Sequence, residues 1–270
     1  MGFVRKESGT HCVGGVRHNG DMSEFAGSAA WVTKPWVAFD TETTGVSSAS
    51  DRIVTAAVVT RHEGFRPGLT HPGGAVDTSD DSRTWLADPG VPIPATASEI
   101  HGITTEYARQ FGRPSAEVLE EVNAVLASQM SSGGVVVVFN ASYDLPLLEA
   151  ESKRHGVTPL ARRLDGKPQL VVDPLVLDRA VNKYRRGKRT LTALVQAFGL
   201  DMGSAHDAAG DCHMTLNVLT ALLETNPQLL QFSATNLQDF QRSQHAIWAE
   251  DFERFLASRG RNTHISRRWP

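Results

Sequence analysis

The sequence predicts an α/β fold built on a mixed β-sheet flanked by helices. Three observations carry this expectation: β-rich runs come early, helical runs dominate the second half, and a β–α–β–α passage occupies the middle. Trp36-Val37-Ala38-Phe39-Asp40 reads as a buried strand that ends in an acid, and residues 53–60 form a second β-rich run. Residues 61–80 are broken by Gly and Pro and read as a turn or loop. Residues 83–87 are expected as a third strand, and residues 100–111 and 115–130 as helices. In the second of these, Val118, Val122, Val125 and Leu126 recur at helical spacing, and Gly133-Gly134 stops it. Residues 135–139 are a continuous apolar run rich in Val, as in a strand covered on both faces. Residues 143–155 read as a helix with Pro146 in its first turn, where a missing N–H does little harm. A strand at 170–173 is followed by helices at 174–181, 190–198 and 207–223, and by a last amphipathic helix at about 236–258.

Composition narrows the classes. Hydrophobic residues at 40% and charged residues at 21% exclude a wholly disordered chain, and 270 residues are enough for a sizeable core and one or two domains. The net charge of -3 argues against binding polyanions with the whole surface but leaves room for a local basic patch. Only Cys12 and Cys212 are present, which excludes a disulfide framework and a cysteine-built zinc site and fits a reducing compartment. No apolar run reaches the ~18 residues of a membrane span. A soluble cytoplasmic protein with no membrane partner is the expectation. Residues 1–34 lack periodicity and are expected to be a disordered leader, 35–225 the folded domain, and 226–270 a C-terminal helix and basic tail packed on it.

Carboxylates carry the chemistry. Asp40-Thr41-Glu42-Thr43-Thr44-Gly45 closes the first strand. Side chains at i and i+2 of a strand share a face, so Asp40 and Glu42 point the same way, with Gly45 permitting a tight turn beyond. Like charges held side by side repel unless a cation lies between them, and oxygen donors suit Mg²⁺ or Mn²⁺. A solvated strand end is the plain alternative. An aspartyl phosphatase would prefer Asp at position 42, and an aspartic protease needs Asp-Thr-Gly uninterrupted, so both fit poorly. Phe139-Asn140-Ala141-Ser142-Tyr143-Asp144 follows a strand and opens a helix, a common ligand position, although Asp144 could simply favour the helix dipole. His206-Asp207-Ala208-Ala209-Gly210-Asp211 places a loop His ahead of an acid one turn into a helix, with Asp207 as N-cap and no chemistry assigned to it.

Each motif is weak alone, but their combination and order resemble the DEDDh (DnaQ-like) exonucleases, the family of the proofreading subunit of bacterial DNA polymerase III. The resemblance runs from about Trp36 to Leu223, and Ile93-Pro94 with Glu99-Ile100-His101-Gly102-Ile103-Thr104 adds to it. Phe139 departs from the His that many members carry there, at a position that is not a metal ligand. The resemblance implies an RNase H-like sheet and a 3′–5′ exonuclease that uses two divalent cations, Mg²⁺ or Mn²⁺. It implies that Asp40, Glu42, Asp144 and Asp211 hold metal and that His206 is the general base. Thr41, Thr43, Thr44, Gly45 and Asn140 would bind substrate or support the motifs. The implied partner is a single-stranded 3′ end of DNA or RNA, with DNA favoured and a DNA polymerase as a further partner. A nucleic-acid-binding or polymerase-associated module without catalysis is the competing reading, and a metal phosphatase on another fold is a third.

Other residues admit two readings each. Lys183, Arg185, Arg186, Lys188 and Arg189 surround Tyr184 and form either a phosphate-contacting loop or a solvated one. For Asp173 a structural hydrogen-bonding role is favoured over that of a fifth acid at the site. Trp248, Phe252, Phe255 and Leu256 recur at helical spacing and are expected to pack on the domain. Burial is the expectation for Phe65 and Trp85, with base stacking as the alternative, and the arginines after residue 258 are expected in a solvated tail.

Overall fold

The computed structural model describes residues 30–65, 80–166, 170–202 and 207–270. The expected leader up to residue 29, most of the loop at 61–80, and His206 lie outside the described residues. The sheet has six strands in the order β4-β3-β2-β1-β5-β6. β1 (Trp36–Thr43), β2 (Ile53–Arg61) and β3 (Asp81–Asp88) form an antiparallel meander. β5 (Val135–Val137) and β6 (Val171–Val172) continue from β1 in parallel, and the two-residue β4 (Arg113–Pro114) pairs with β3.

The central strand is covered on both faces. Trp36 and Ala38 face one core with the helices α7 (Leu191–Ala197) and α8 (Ala208–Thr225), while Val37 and Phe39 face the other with α3 (Ser115–Ser131) and α4 (Ala141–Arg154). These four side chains are at most 1% exposed, which is the burial expected of a continuous apolar run feeding parallel neighbours. Phe65 and Trp85 are buried too, in keeping with packing rather than stacking on bases.

Several elements differ from expectation for identifiable reasons. The helix expected at 100–111 is two helices, α1 (Ala95–His101) and α2 (Thr105–Phe111). Gly102 between them has φ +76°, and Thr104 caps α2 by accepting the Tyr107 N–H at 3.2 Å. The α4 helix begins at Ala141, so Pro146 lies inside it rather than in its first turn and leaves the Ser142 carbonyl without its i+4 donor. The folded unit also starts ahead of residue 35. Ala30–Thr33 is a 3₁₀ turn, Trp31 and Val32 are buried, and the Trp31 ring stacks on Trp36 and donates to the Phe232 carbonyl at 3.0 Å. A short α5 (Leu160–Arg163) precedes β6, and α6 (Pro174–Val181) follows it.

After a 3₁₀ turn at Pro227–Gln231, α9 (Ala234–Ser258) closes the edge of the sheet with side-chain amides. Gln238 accepts from the Val171 N–H at 3.1 Å, and Gln241 accepts from the Asp173 N–H and donates to the Val171 carbonyl. The free edge of β6 is thereby satisfied. Leu256 is buried, but Phe252 and Phe255 are 36% and 51% exposed, which corrects the expectation that this stripe packs inward. Among the described residues no helix is long and apolar enough to cross a membrane.

Candidate active site

The site lies at the carboxyl end of β1. Pairing of β1 with β2 shifts register between Glu42 and Thr43, and the chain then turns through Gly45. Gly45 leaves room for the Asp51 carboxylate: a Cβ there would lie 2.7 Å from one of its oxygens and would displace it. Asp51 accepts from Thr44 Oγ1 at 3.0 Å and from the Ser47 N–H at 2.7 Å, so the turn is pinned from within. From outside, the Tyr143 hydroxyl donates to the Gly45 carbonyl at 2.5 Å and lies 2.9 Å from Thr43 Oγ1. The next turns of α4 hold the far end of the same loop. Buried Glu151 accepts from the Ile53 N–H and pairs with Arg154, which donates to the Ala49 carbonyl.

Asp40 and Glu42 project from β1 and Asp211 from the first turn of α8, all three half-buried, with one oxygen of each within 4.8 Å of the others. Asp144 is buried on α4 outside this group of three and accepts from Thr41 Oγ1 at 2.5 Å. Burial pushes the Asp40 carboxyl well above the usual range, and Asp144, Asp211, Glu42 and Asp207 each raise it further. Burial pushes Glu42 up to about 7, with Asp211 and Asp144 adding to it. Burial also raises Asp144 to about 7, against the Thr41 hydrogen bond. An all-oxygen donor set whose members repel one another fits a hard divalent cation, which removes the repulsion and accepts carboxylate oxygens. Asp207 stands at the N-cap position of α8, as expected, but makes no side-chain capping bond. Its charge adds to the field on Asp40 and Glu42 instead.

Asn140 has φ 66° and ψ 48°, left-handed for a residue with a side chain. Asp173 stabilises that turn, accepting the Asn140 and Ala141 N–H groups at 3.0 and 2.9 Å while capping α6 through the Leu175 and Val176 N–H groups. Trp269 Nε1 is a fifth donor, so Asp173 is structural. The Asn140 side chain accepts from Ser142 Oγ. In the basic loop, Arg185 and Arg189 pair with buried Asp178, and Arg189 also donates to the Asn182 carbonyl. Lys183, Arg186 and Lys188 are exposed. Beneath the site the Cys212 thiol is fully buried against the Ala57 carbonyl, and burial with the nearby Asp40 and Asp211 raises it well above its usual value. Sequence reasoning missed Tyr143 and Asp51 as braces of the turn. Tyr143 adjoins a candidate ligand and Asp51 closes a Gly- and Ser-rich loop, and neither pattern specifies a contact.

The family model described as Exonuclease (RNase_T) matches residues 37–219. The chain belongs to this exonuclease family. The exonuclease chain is 29% identical over 185 residues to DNA polymerase III PolC-type of Streptococcus thermophilus, covering 68% of this chain and 11% of that one. It is 30% identical over 216 residues to a DNA polymerase III subunit epsilon-like protein of Rhodobacter capsulatus, covering 77% of this chain and 27% of that one. It thus spans well under a third of either relative. Among solved structures, Escherichia coli Exonuclease I in complex with a dT13 oligonucleotide superimposes with a TM-score of 0.58 at 20% identity, covering 73% of this chain and 42% of that one. An Exonuclease I from Methylocaldum szegediense gives 0.53 at 22% identity, over the same shares. The fold of this exonuclease chain is RNase H-like, as the sequence motifs imply.

Proposed function

We propose that the chain is a metal-dependent 3′–5′ exonuclease, with DNA favoured, that releases nucleoside 5′-monophosphates from single-stranded ends. The observation that carries this reading is the meeting of Asp40, Glu42 and Asp211 within 4.8 Å beside the buried Asp144. The names of the polymerase relatives and the oligonucleotide in the Exonuclease I complex favour a nucleic-acid substrate.

Asp40 would serve two Mg²⁺ or Mn²⁺ ions, Glu42 and Asp211 would complete the hold on one, and Asp144 would support the other. When bound, such ions lower the pKa of water and stabilise charge on phosphoryl and leaving oxygens. The chain's own part is to place and move protons. His206 would take the proton from the attacking water, since an imidazole titrates near neutrality and can accept and release it. Thr41 would keep Asp144 ionised by donating to it. The turn at residues 43–45, held by Tyr143 and Asp51, would present Thr43, Thr44 and the Gly45 backbone to the terminal nucleotide. Lys183, Arg186 and Lys188 would meet phosphates further along the strand, with Arg185 and Arg189 shaping their loop through Asp178. A DNA polymerase partner fits the relatives' names.

The test uses 5′-labelled single-stranded DNA and RNA of matching sequence, with Mg²⁺ or Mn²⁺ and then EDTA. A metal-dependent ladder shortening from the 3′ end is expected, faster on DNA. His206→Ala should slow it ~10²–10⁴-fold. No cleavage by folded protein with metal present would replace this reading with that of a catalytically silent binding module.

A further inference from the structure

The α9 helix carries an aromatic ladder at the surface, with Trp248 half-buried and Phe252 and Phe255 exposed. Trp248, Phe252 and Phe255 follow one another at i, i+4 and i+7, with ring centroids 5.4 and 6.2 Å apart and planes within 15° and 14° of parallel. A guanidinium stands at each end: Arg179 from α6 lies 3.6 Å from the Trp248 centroid, and Arg259 lies 5.5 Å from that of Phe255. Beside Trp248 is a cavity of about 240 Å³ lined by Arg179, Lys183, Arg189, Ile247 and Asp251, among others. Its single acid, Asp251, is paired with Arg254 at 2.5 Å. Lys183 and Arg189 bring into this lining the loop that also carries exposed Arg186 and Lys188 and the 88% exposed Tyr184. Lys183, Arg186 and Lys188 have no ion-pair partner among the described residues. In a chain of net charge -3, this concentrates positive charge around exposed rings.

The face also connects to the candidate active site. Asp173 accepts the amides that open α4 and caps α6, so α6 begins directly at the Asn140 turn. Arg179 is six residues beyond that cap, about 9 Å along the helix at 1.5 Å per residue.

We propose that the α6–α9 face binds single-stranded nucleic acid away from its 3′ terminus, the aromatic ladder and Tyr184 contacting bases and the loop cations contacting phosphates. This rests on the nucleic-acid reading of the active site and extends it to a second contact region. Rings with adjacent cations suit an unpaired strand, because every base has a π-face and every step a phosphate. A protein partner on this face would leave the excess of positive charge without a counterpart unless it were acidic.

The test measures binding of fluorescein-labelled dT20 and dT4 to the full chain in EDTA, where turnover is blocked. In F252A/F255A, affinity for dT20 should fall about 10-fold or more, and the preference for dT20 over dT4 should collapse. In K183A/R186A/K188A, the slope of log affinity against log salt should become shallower by about 2, since each phosphate that a cation neutralises on a single strand adds ~0.7 to it. Photocrosslinking of 5-iodouracil-substituted dT20 to the unsubstituted protein gives a reading free of any folding defect, with adducts expected on the Tyr184 loop and on α9. Unchanged dT20 affinity in both variants, or adducts confined to the β1 turn and α4, would overturn the proposal and assign the face to a protein. Hydrolysis of the p-nitrophenyl ester of thymidine 5′-monophosphate reports the active site alone. Its failure alongside intact dT20 crosslinks on α9 would count against the exonuclease reading while supporting this surface.

Discussion

Asp40 lies in the carboxyl-terminal half of β1 and Asp173 directly follows β6, two places away in the same sheet, yet their surroundings are opposite. Asp173 is 1% exposed and accepts from five N–H groups, which fix the Asn140 turn and the start of α6. Asp40 is open to solvent on one side and stands in the field of Asp144, Asp211, Glu42 and Asp207. A buried carboxylate surrounded by donors is complete as it stands. One surrounded by carboxylates is stable as an anion only with a cation beside it. The difference separates an acid that holds the fold from one whose setting suits a cation, although both lie on the carboxyl side of the sheet.

The largest expected effects contrast the two positions directly. Asp40→Asn should lower turnover ~10³-fold or more while the melting temperature in EDTA holds or rises, because a like charge is removed. Asp173→Ala should do the reverse: it leaves several buried donors unpaired, costs about 3 kcal/mol or more, and lowers the melting temperature by on the order of 10 °C. Calorimetry on both variants checks this, and equal destabilisation would erase the distinction.

Removing metal should expose the repulsion as a pH dependence. Glu42 and Asp144 titrate near 7 in the fold, against about 4 in the unfolded chain. Between those values the folded state holds more protons, so stability falls as pH rises. In EDTA the melting temperature should therefore climb as pH is lowered from about 8 to 5, and saturating Mn²⁺ should flatten the curve. A flat curve in EDTA would show that the acids do not repel as their placement implies. The smallest effect belongs to the brace. Tyr143→Phe removes the hydroxyl that holds Gly45 and should cost about 1 kcal/mol, raising KM more than it lowers kcat. Steady-state kinetics on a short oligonucleotide checks the split.

The central sheet was legible because its periodicity is strong: β1 is apolar at every position before Asp40, and Val-rich β5 needs cover on both faces. The acids were legible from order and spacing. Contacts made by local geometry were not. The left-handed Gly102 that splits the 95–111 region depends on a cap at Thr104, and a helical pattern runs across it. Nothing in the spacing of the two α9 glutamines says that a sheet edge lies beneath them. The stripe of Trp248, Phe252 and Phe255 has the period of a buried face, but the helix spends its inward side on those glutamines, His245 and Ala249, leaving Trp248 half-buried and the two phenylalanines exposed.

The buried thiol of Cys212 makes the active-site floor its own reporter. Alkylation in the native state can reach it only when α8 lifts from β2, the same excursion that would carry Asp211 away from Asp40. The labelling rate of that residue, resolved by peptide mapping from that of Cys12, measures the free energy of opening at the candidate site. Mn²⁺ bound between β1 and α8 should slow that labelling in proportion to its occupancy.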